Sequence, residues 1–170
     1  MSATRTKKRW ARGTLAGVVL ALAVTAAACT PEAPPPPGCP SGPPDAITST
    51  LLNRTNAERT ARGLTSLFWN PRLACLAGEW SSVMANGRGL GHRDLNGTIR
   101  SAGFESFASL GENIFVGPTS ISPDSIHGAW MNSPPHAANI LGDYDAMGIG
   151  WATSPNGQIW VTENFGRHMP

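Results

Sequence analysis

The stretch "DAITSTLLNRTNAERTARG" has Asp45 as a capping residue at its start and Gly63 as a stop, and it predicts one helix. In "WNPRLACLAGEWSSVMANG", Leu73, Leu76, Ala77, Trp80 and Met84 recur at helical spacing and share one face. Asn70 is its N-cap, Pro71 its first turn and Gly87 its end. A glycine-rich loop, "GRGLGHRD", follows, then a short helix around "TIRSAG" and a strand at "GENIFVG". "SPDSIHGAWMNS" reads as helix, with Ser122 capping and Pro123 in the first turn. The last segment, "AMGIGWATSPNGQIWVTENFG", alternates apolar residues on both sides of Asn156-Gly157, the pattern of a β-hairpin. Helices interspersed with a few mostly antiparallel strands predict a layered α+β domain.

One interruption in this pattern carries chemistry. In "WMNSPPHAANIL" two prolines stand directly before His136. A residue before proline is pushed out of helical geometry, so Ser133 ends one helix and is placed to cap the next. Pro134 and Pro135 have no N–H to offer, which leaves the backbone N–H of His136 as the first donor for the Ser133 hydroxyl. The positive end of the new helix then favours a neutral imidazole, able to bind a metal or accept a proton. His92, in the glycine-rich loop, and Glu112, at the start of a strand, complete a ligand set suited to a divalent cation.

The N-terminal residues read differently. Arg5, Lys7, Lys8, Arg9 and Arg12 precede the apolar run "GTLAGVVLALAVTAAAC", which is short of the roughly 20 residues needed to span a bilayer and ends in small residues. Residues 1–28 are therefore expected to be a cleaved export signal. Cleavage before Cys29 would make that cysteine a lipid carrier, with ordinary cleavage after Ala28 as the alternative. Of the three cysteines, a lipidated Cys29 leaves Cys39 and Cys75 to pair, in a compartment oxidising enough to keep the bond. Cys75 points about 160° away from the apolar stripe of its helix, which leaves its thiol accessible to Cys39.

Removal of the signal reverses the charge. Five of the 13 basic residues leave with it, so eight arginines face 11 carboxylates and no lysine remains. No basic surface is left to grip nucleic acid, and lysine-based Schiff-base or S-x-x-K chemistry is excluded. Residues 29–45, with "PEAPPPPGCPSGPP", are expected to be a stiff spacer holding the domain up to roughly 40 Å from a membrane. Residues 46–170 then form one domain.

Other polar and aromatic residues are expected to be structural. His127 reads as a helix-surface residue and His168 as part of a loose terminus, both solvated. Trp69, Trp80, Trp130, Trp151 and Trp160 read as core, and Asn56 and Asn113 as partners for buried backbone.

The ordered set "NAER", "LFWNPRLACLAGEWSSVMA", "LGH", "GENI", "WMNSPPHAANIL", "GIG" and "WVTENFG" resembles the CAP superfamily of cysteine-rich secretory, antigen 5 and pathogenesis-related proteins, in its compact bacterial branch. The resemblance runs from about Leu52 to Gly166. It implies a three-layer α-β-α sandwich with a small, mostly antiparallel sheet and a central cleft holding His92, Glu112 and His136. Many members carry a second glutamate where this chain has Ser133, and bacterial relatives often have Gln where it has Glu163; both are accessory positions.

The resemblance implies an exported protein, on the outer face of the cytoplasmic membrane or the cell surface if lipid-anchored and otherwise secreted. Its cleft would take a weakly bound divalent metal, zinc or similar, and a small amphipathic or lipid ligand. An envelope structural or interaction module with an idle cleft comes second. A metal-assisted hydrolase of peptides or envelope polymers comes third, with His92 and His136 on the ion and Glu112 as ligand or base.

Overall fold

The computed structural model describes Met1, residues 34–101 and residues 103–170. The expected export signal and Cys29 lie outside the described residues.

Helix α1 covers Ala46–Thr60, where Asp45 and Thr48 form a reciprocal capping box. Strand β1 is only Phe68–Trp69, too short to show an alternating pattern in sequence. Helix α2, Pro71–Val83, starts where Asn70 Oδ1 accepts from the Arg72 and Leu73 amides. It runs into a wide turn at Met84–Arg88 that ends with Gly87 at φ +107°. Helix α3 is Leu95–Ile99, earlier than the expected "TIRSAG", because Asp94 caps it by accepting from the Gly97 amide at 3.0 Å. Strand β2, Phe107–Pro118, extends beyond "GENIFVG" in both directions. Helices α4, Pro123–Met131, and α5, Pro134–Ile140, follow, then β3, Ala146–Thr153, and β4, Gln158–His168. Gly157, at φ +79°, closes the expected hairpin.

The sheet order is β1-β3-β4-β2, with β1 parallel to β3 and the other pairs antiparallel. Helix α2 covers one face. It lies so close that a Cβ on Gly148 would fall 2.0 Å from the Ala74 nitrogen, and one on Gly150 2.2 Å from the Gly78 nitrogen. Helices α1, α4 and α5 cover the other face, where Leu51, Ile126, Trp130 and Ile140 meet Met147, Ile149, Val161 and Phe165 in one buried cluster. The molecule is thus the α-β-α sandwich, with β2 as an edge strand. Trp130 and Trp160 are buried, whereas Trp69, Trp80 and Trp151 are partly exposed.

Two polar side chains, Arg59 and Asn56, tie distant segments together. Arg59 of "NAER" donates to the carbonyls of Thr65, Ile140, Gly142 and Tyr144, which fixes the end of α1 to the end of α5. Asn56 pairs both ways with the Leu67 backbone, as expected.

The proline-rich segment departs from the free spacer. Cys39 and Cys75 are disulfide-bonded, with Cα atoms 5.3 Å apart. Arg72 donates to the Pro34 carbonyl at 2.6 Å, and the Trp69 indole to the Pro40 carbonyl at 2.8 Å. Prolines bring acceptors without donors, so side-chain N–H groups of the domain take those carbonyls. Closing the 36-residue separation contributes about 4 kcal/mol in the chain-entropy account.

Candidate functional site

The loop after α2 presents the first histidine. Gly87 at φ +107° and Gly89 at φ +80° turn the chain back beneath the helix end, which brings His92 to the edge strand. There Glu112 Oε1 accepts from His92 Nδ1 at 2.8 Å and from the Arg93 amide at 3.1 Å. The Glu112 side chain is 1% exposed and that of His92 57%. A buried carboxylate therefore holds the proton on Nδ1 and directs Nε2 outward.

The same carboxylate keeps an unmatched atom. Among the described residues, Glu112 Oε2 is buried without a hydrogen-bond partner, as are both amide atoms of Asn164. Glu112 and Asn164 are paired in register across β2 and β4, so their side chains share a face about 5 Å apart at Cβ. Buried polar atoms are rarely left unmatched, which sets this pair apart from the rest of the sheet.

His136 comes from the opposite side of the edge strand. Ser133 occupies the N-cap position in extended conformation, but its hydroxyl meets the His136 ring at Nδ1, 2.8 Å away, rather than the His136 amide. The expected backbone cap is thus replaced by a side-chain pair, and the Ser133 carbonyl accepts from the Ala137 amide. Burial, then the nearby His92, lowers the His136 pKa below the ordinary imidazole value. Helix α5 is fastened to β2 by asparagines. Asn113 donates to the His136 carbonyl, and Asn139 donates to the Glu112 carbonyl and to Asn113 Oδ1.

Glu163 stands apart from this group. It is fully buried, accepts from Thr55 at 3.1 Å and from Asn113 at 3.4 Å, and burial raises its pKa to about 8 despite both hydrogen bonds. A neutral carboxylic acid here has the shape of a glutamine. Among the described residues it joins the Glu112 side through Asn113 and Asn139.

The other two histidines overturn the expectation of solvent exposure. His127 is 5% exposed, and neither ring nitrogen has a hydrogen-bond partner among the described residues. Its position beside Ile126 turns it inward between α4 and α1, and burial lowers its pKa, with Glu58 opposing, Arg54 assisting and Asp124 opposing. His168 is held by pairing of β4 with β2: its Nδ1 lies 2.8 Å from Asp145 and its ring 4.3 Å from that of Phe107.

Beside His92 runs a groove of about 710 Å³ floored by Leu76, Trp80 and Phe104 and edged by Arg88, Arg93 and Asp94. Sequence reasoning missed this feature. Its signal was two arginines bracketing the glycine-rich loop downstream of a helix-face tryptophan.

The family model for CAP, the cysteine-rich secretory protein family, matches residues 52–165. The chain belongs to the CAP family. The uncharacterized protein YkwD of Bacillus subtilis is 31% identical over 123 residues, covering 69% of this chain and 46% of that protein. This chain therefore spans less than half of that relative. Among solved structures, an outer surface protein of Borrelia burgdorferi matches with TM-score 0.61 at 20% identity, covering 71% of this chain and 92% of that one. An extracellular SCP-domain protein of Bacillus anthracis matches with TM-score 0.60 at 24% identity, covering 71% and 40%.

These likenesses show the CAP fold. Within it, no group of three or more His, Cys, Asp or Glu among the described residues could hold a metal ion. His92 and Glu112 are bonded to each other through Nδ1, which leaves Nε2 as the His92 donor for any ligand. Among the described residues no helix is long and apolar enough to cross a membrane.

Proposed function

We propose that this CAP domain is an exported binding module, anchored through Cys29, whose site is the His92–Glu112 pair together with His136. Export is supported by the N-terminal sequence and by the extracellular and outer-surface relatives. The observation that carries the site is the buried Glu112 carboxylate: one oxygen aims an exposed imidazole outward and the other lacks a partner. Such a group accepts a hydrogen bond from a ligand hydroxyl or amide while His92 Nε2 serves as a second polar contact. A small amphipathic or lipid-like ligand is the proposed occupant. A divalent ion such as zinc is the rival; His92 Nε2 and His136 would hold it with the Glu112–His92 bond kept behind the first imidazole.

The test is native mass spectrometry of the protein recovered from its own envelope, followed by titration of the retained ligand and of zinc. The expected results are a lipid mass on Cys29, a co-purified organic ligand, and at least about tenfold weaker binding of that ligand by a His92→Ala/His136→Ala variant. Undiminished ligand binding by that variant removes the site assignment. Tight zinc binding lost in the same variant would replace the organic occupant by the ion.

A further inference from the structure

Strand β3 has a full neighbour on one side only. Strand β4 pairs with all of Ala146–Thr153, whereas β1 reaches only Ala146 and Met147 before the chain turns into α2. The Met147 carbonyl points to the β1 side, where it accepts from the Asn70 amide at 2.8 Å. Outward and inward backbone groups alternate along an antiparallel strand, so the N–H and C=O of Ile149 and Trp151 point to that same side. Among the described residues no backbone group meets them.

The proline-rich segment lies across this edge. Cys39 is bonded to Cys75 on the α2 face and α1 begins at Ala46 on the other face, so residues 40–45 pass the sheet edge between them. Indoles hold the crossing at both ends. Trp69 of β1 donates to the Pro40 carbonyl at 2.8 Å, and Trp151 of β3 donates to Asp45 Oδ2 at 2.9 Å. Between crossing and strand lies a pocket of about 400 Å³ lined by Pro40, Pro44, Cys75, Gly78, Ile149 and Trp151. Pro40, Pro43 and Pro44 have no N–H, so the segment covers the edge without joining the ladder. An unpaired edge is a template for a further strand, and proline beside it is a block to that pairing.

We propose that residues 40–44 are a strap masking a self-pairing edge, and that the backbone of Ile149 and Trp151 takes the same edge of a second copy when the strap is released. A short edge whose outward groups recur at every second residue is complementary to itself in the antiparallel sense, across a two-fold axis. The space beside it is open on the α2 side, where a Cβ on Gly78 would meet nothing within 4 Å. The Cys39–Cys75 bond sets the state, because it fixes the end of the strap that lies farthest from α1. This surface is separate from the His92 site and does not depend on what that site binds.

The experiment is analytical sedimentation of the exported chain, with Cys29→Ser in every protein so that no free thiol links two copies. The parent is expected to stay monomeric at about 100 μM, and Cys39→Ser/Cys75→Ser to dimerise with a Kd at least about tenfold below that concentration. Adding Trp151→Pro to the double-serine protein is expected to restore the monomer, since that N–H lies outside the β3–β4 ladder and its loss leaves the pairing intact. Amide hydrogen exchange reads the edge in the parent itself. Ile149 and Trp151 are expected to exchange at least about tenfold faster than Gly148 and Gly150, and to become protected in the dimer. A dimeric parent, a folded double-serine protein that stays monomeric, or a dimer that survives Trp151→Pro overturns the proposal. So does equal protection of Ile149, Trp151, Gly148 and Gly150 in the parent, a result that needs no variant to fold. Circular dichroism checks the fold of the double-serine protein.

Discussion

Glu112 and Glu163 stand on adjacent rungs of one ladder, since Glu112 pairs with Asn164 and Asn113 with Glu163. The pleat turns them to opposite faces. Glu163 faces the layer of α1, α4 and α5, where Thr55 and Asn113 are its partners and burial keeps it protonated up to about pH 8. Glu112 faces the loop after α2 and is just as inaccessible, yet one of its oxygens holds an imidazole that is more than half exposed. One acid is sealed behind a neutral partner set. The other connects the interior to the surface. Burial alone therefore does not tell the two carboxyls apart; the exposure of the partner does.

The largest expected effect strikes the sealed acid. Its folded pKa, about 8, lies above the ordinary 4.5, so the native state binds the extra proton between those values. Its contribution is intact below pH 4.5 and is lost as pH rises through 8. Glu163→Gln should remove that slope and leave the variant more stable than the parent by about 4 kcal/mol at pH 8. Denaturant unfolding at pH 5, 7 and 8 measures it, and a parallel offset at every pH would mean that Glu163 is ionised when folded.

The α2 face is tested next. Breaking the Cys39–Cys75 bond by double serine substitution should lower stability by about 3 to 4 kcal/mol and free the segment from Pro34 to Pro44, read as new proteolytic cleavage there. Gly148→Ala should cost about 3 kcal/mol, because the added methyl meets the backbone of α2 rather than a movable side chain. A neutral outcome would show that α2 can move away from β3.

Two smaller effects sharpen the contrast. His127 has a lowered pKa, so its contribution is intact above pH 6.5 and is lost as pH falls below it. His127→Leu should flatten that acid limb and stabilise by about 1 kcal/mol through removal of two unpartnered nitrogens. Glu112→Gln should change stability least, by about 1 kcal/mol or less, yet it should release the His92 tautomer. Nitrogen-15 NMR should find His92 protonated on Nδ1 in the parent and mixed in the variant.

Much of the fold was legible along the chain. Asp45, Asn70 and Ser122 cap the helices at the expected positions, and Asn156-Gly157 closes the expected hairpin. The motif residues His92 and Glu112 do meet, and Ser133 does break the helix before His136. What local reasoning misjudged was the company each polar residue keeps. The Ser133 hydroxyl chose the ring over the amide and His127 turned inward, whereas the Cys39–Cys75 bond formed as expected.

The boundaries of helices and the turn of the hairpin were set by the sequence itself, because capping and turn chemistry act between residues two to four positions apart. Tertiary structure alone decided which acid is sealed and which histidine is presented. The partners in those choices are Thr55 for Glu163, 108 residues away, and Glu112 for His92, 20 residues away. A carboxyl's charge state follows the desolvation and hydrogen bonds that arrive with such partners, and neither exists until the sheet has closed between its two helical layers.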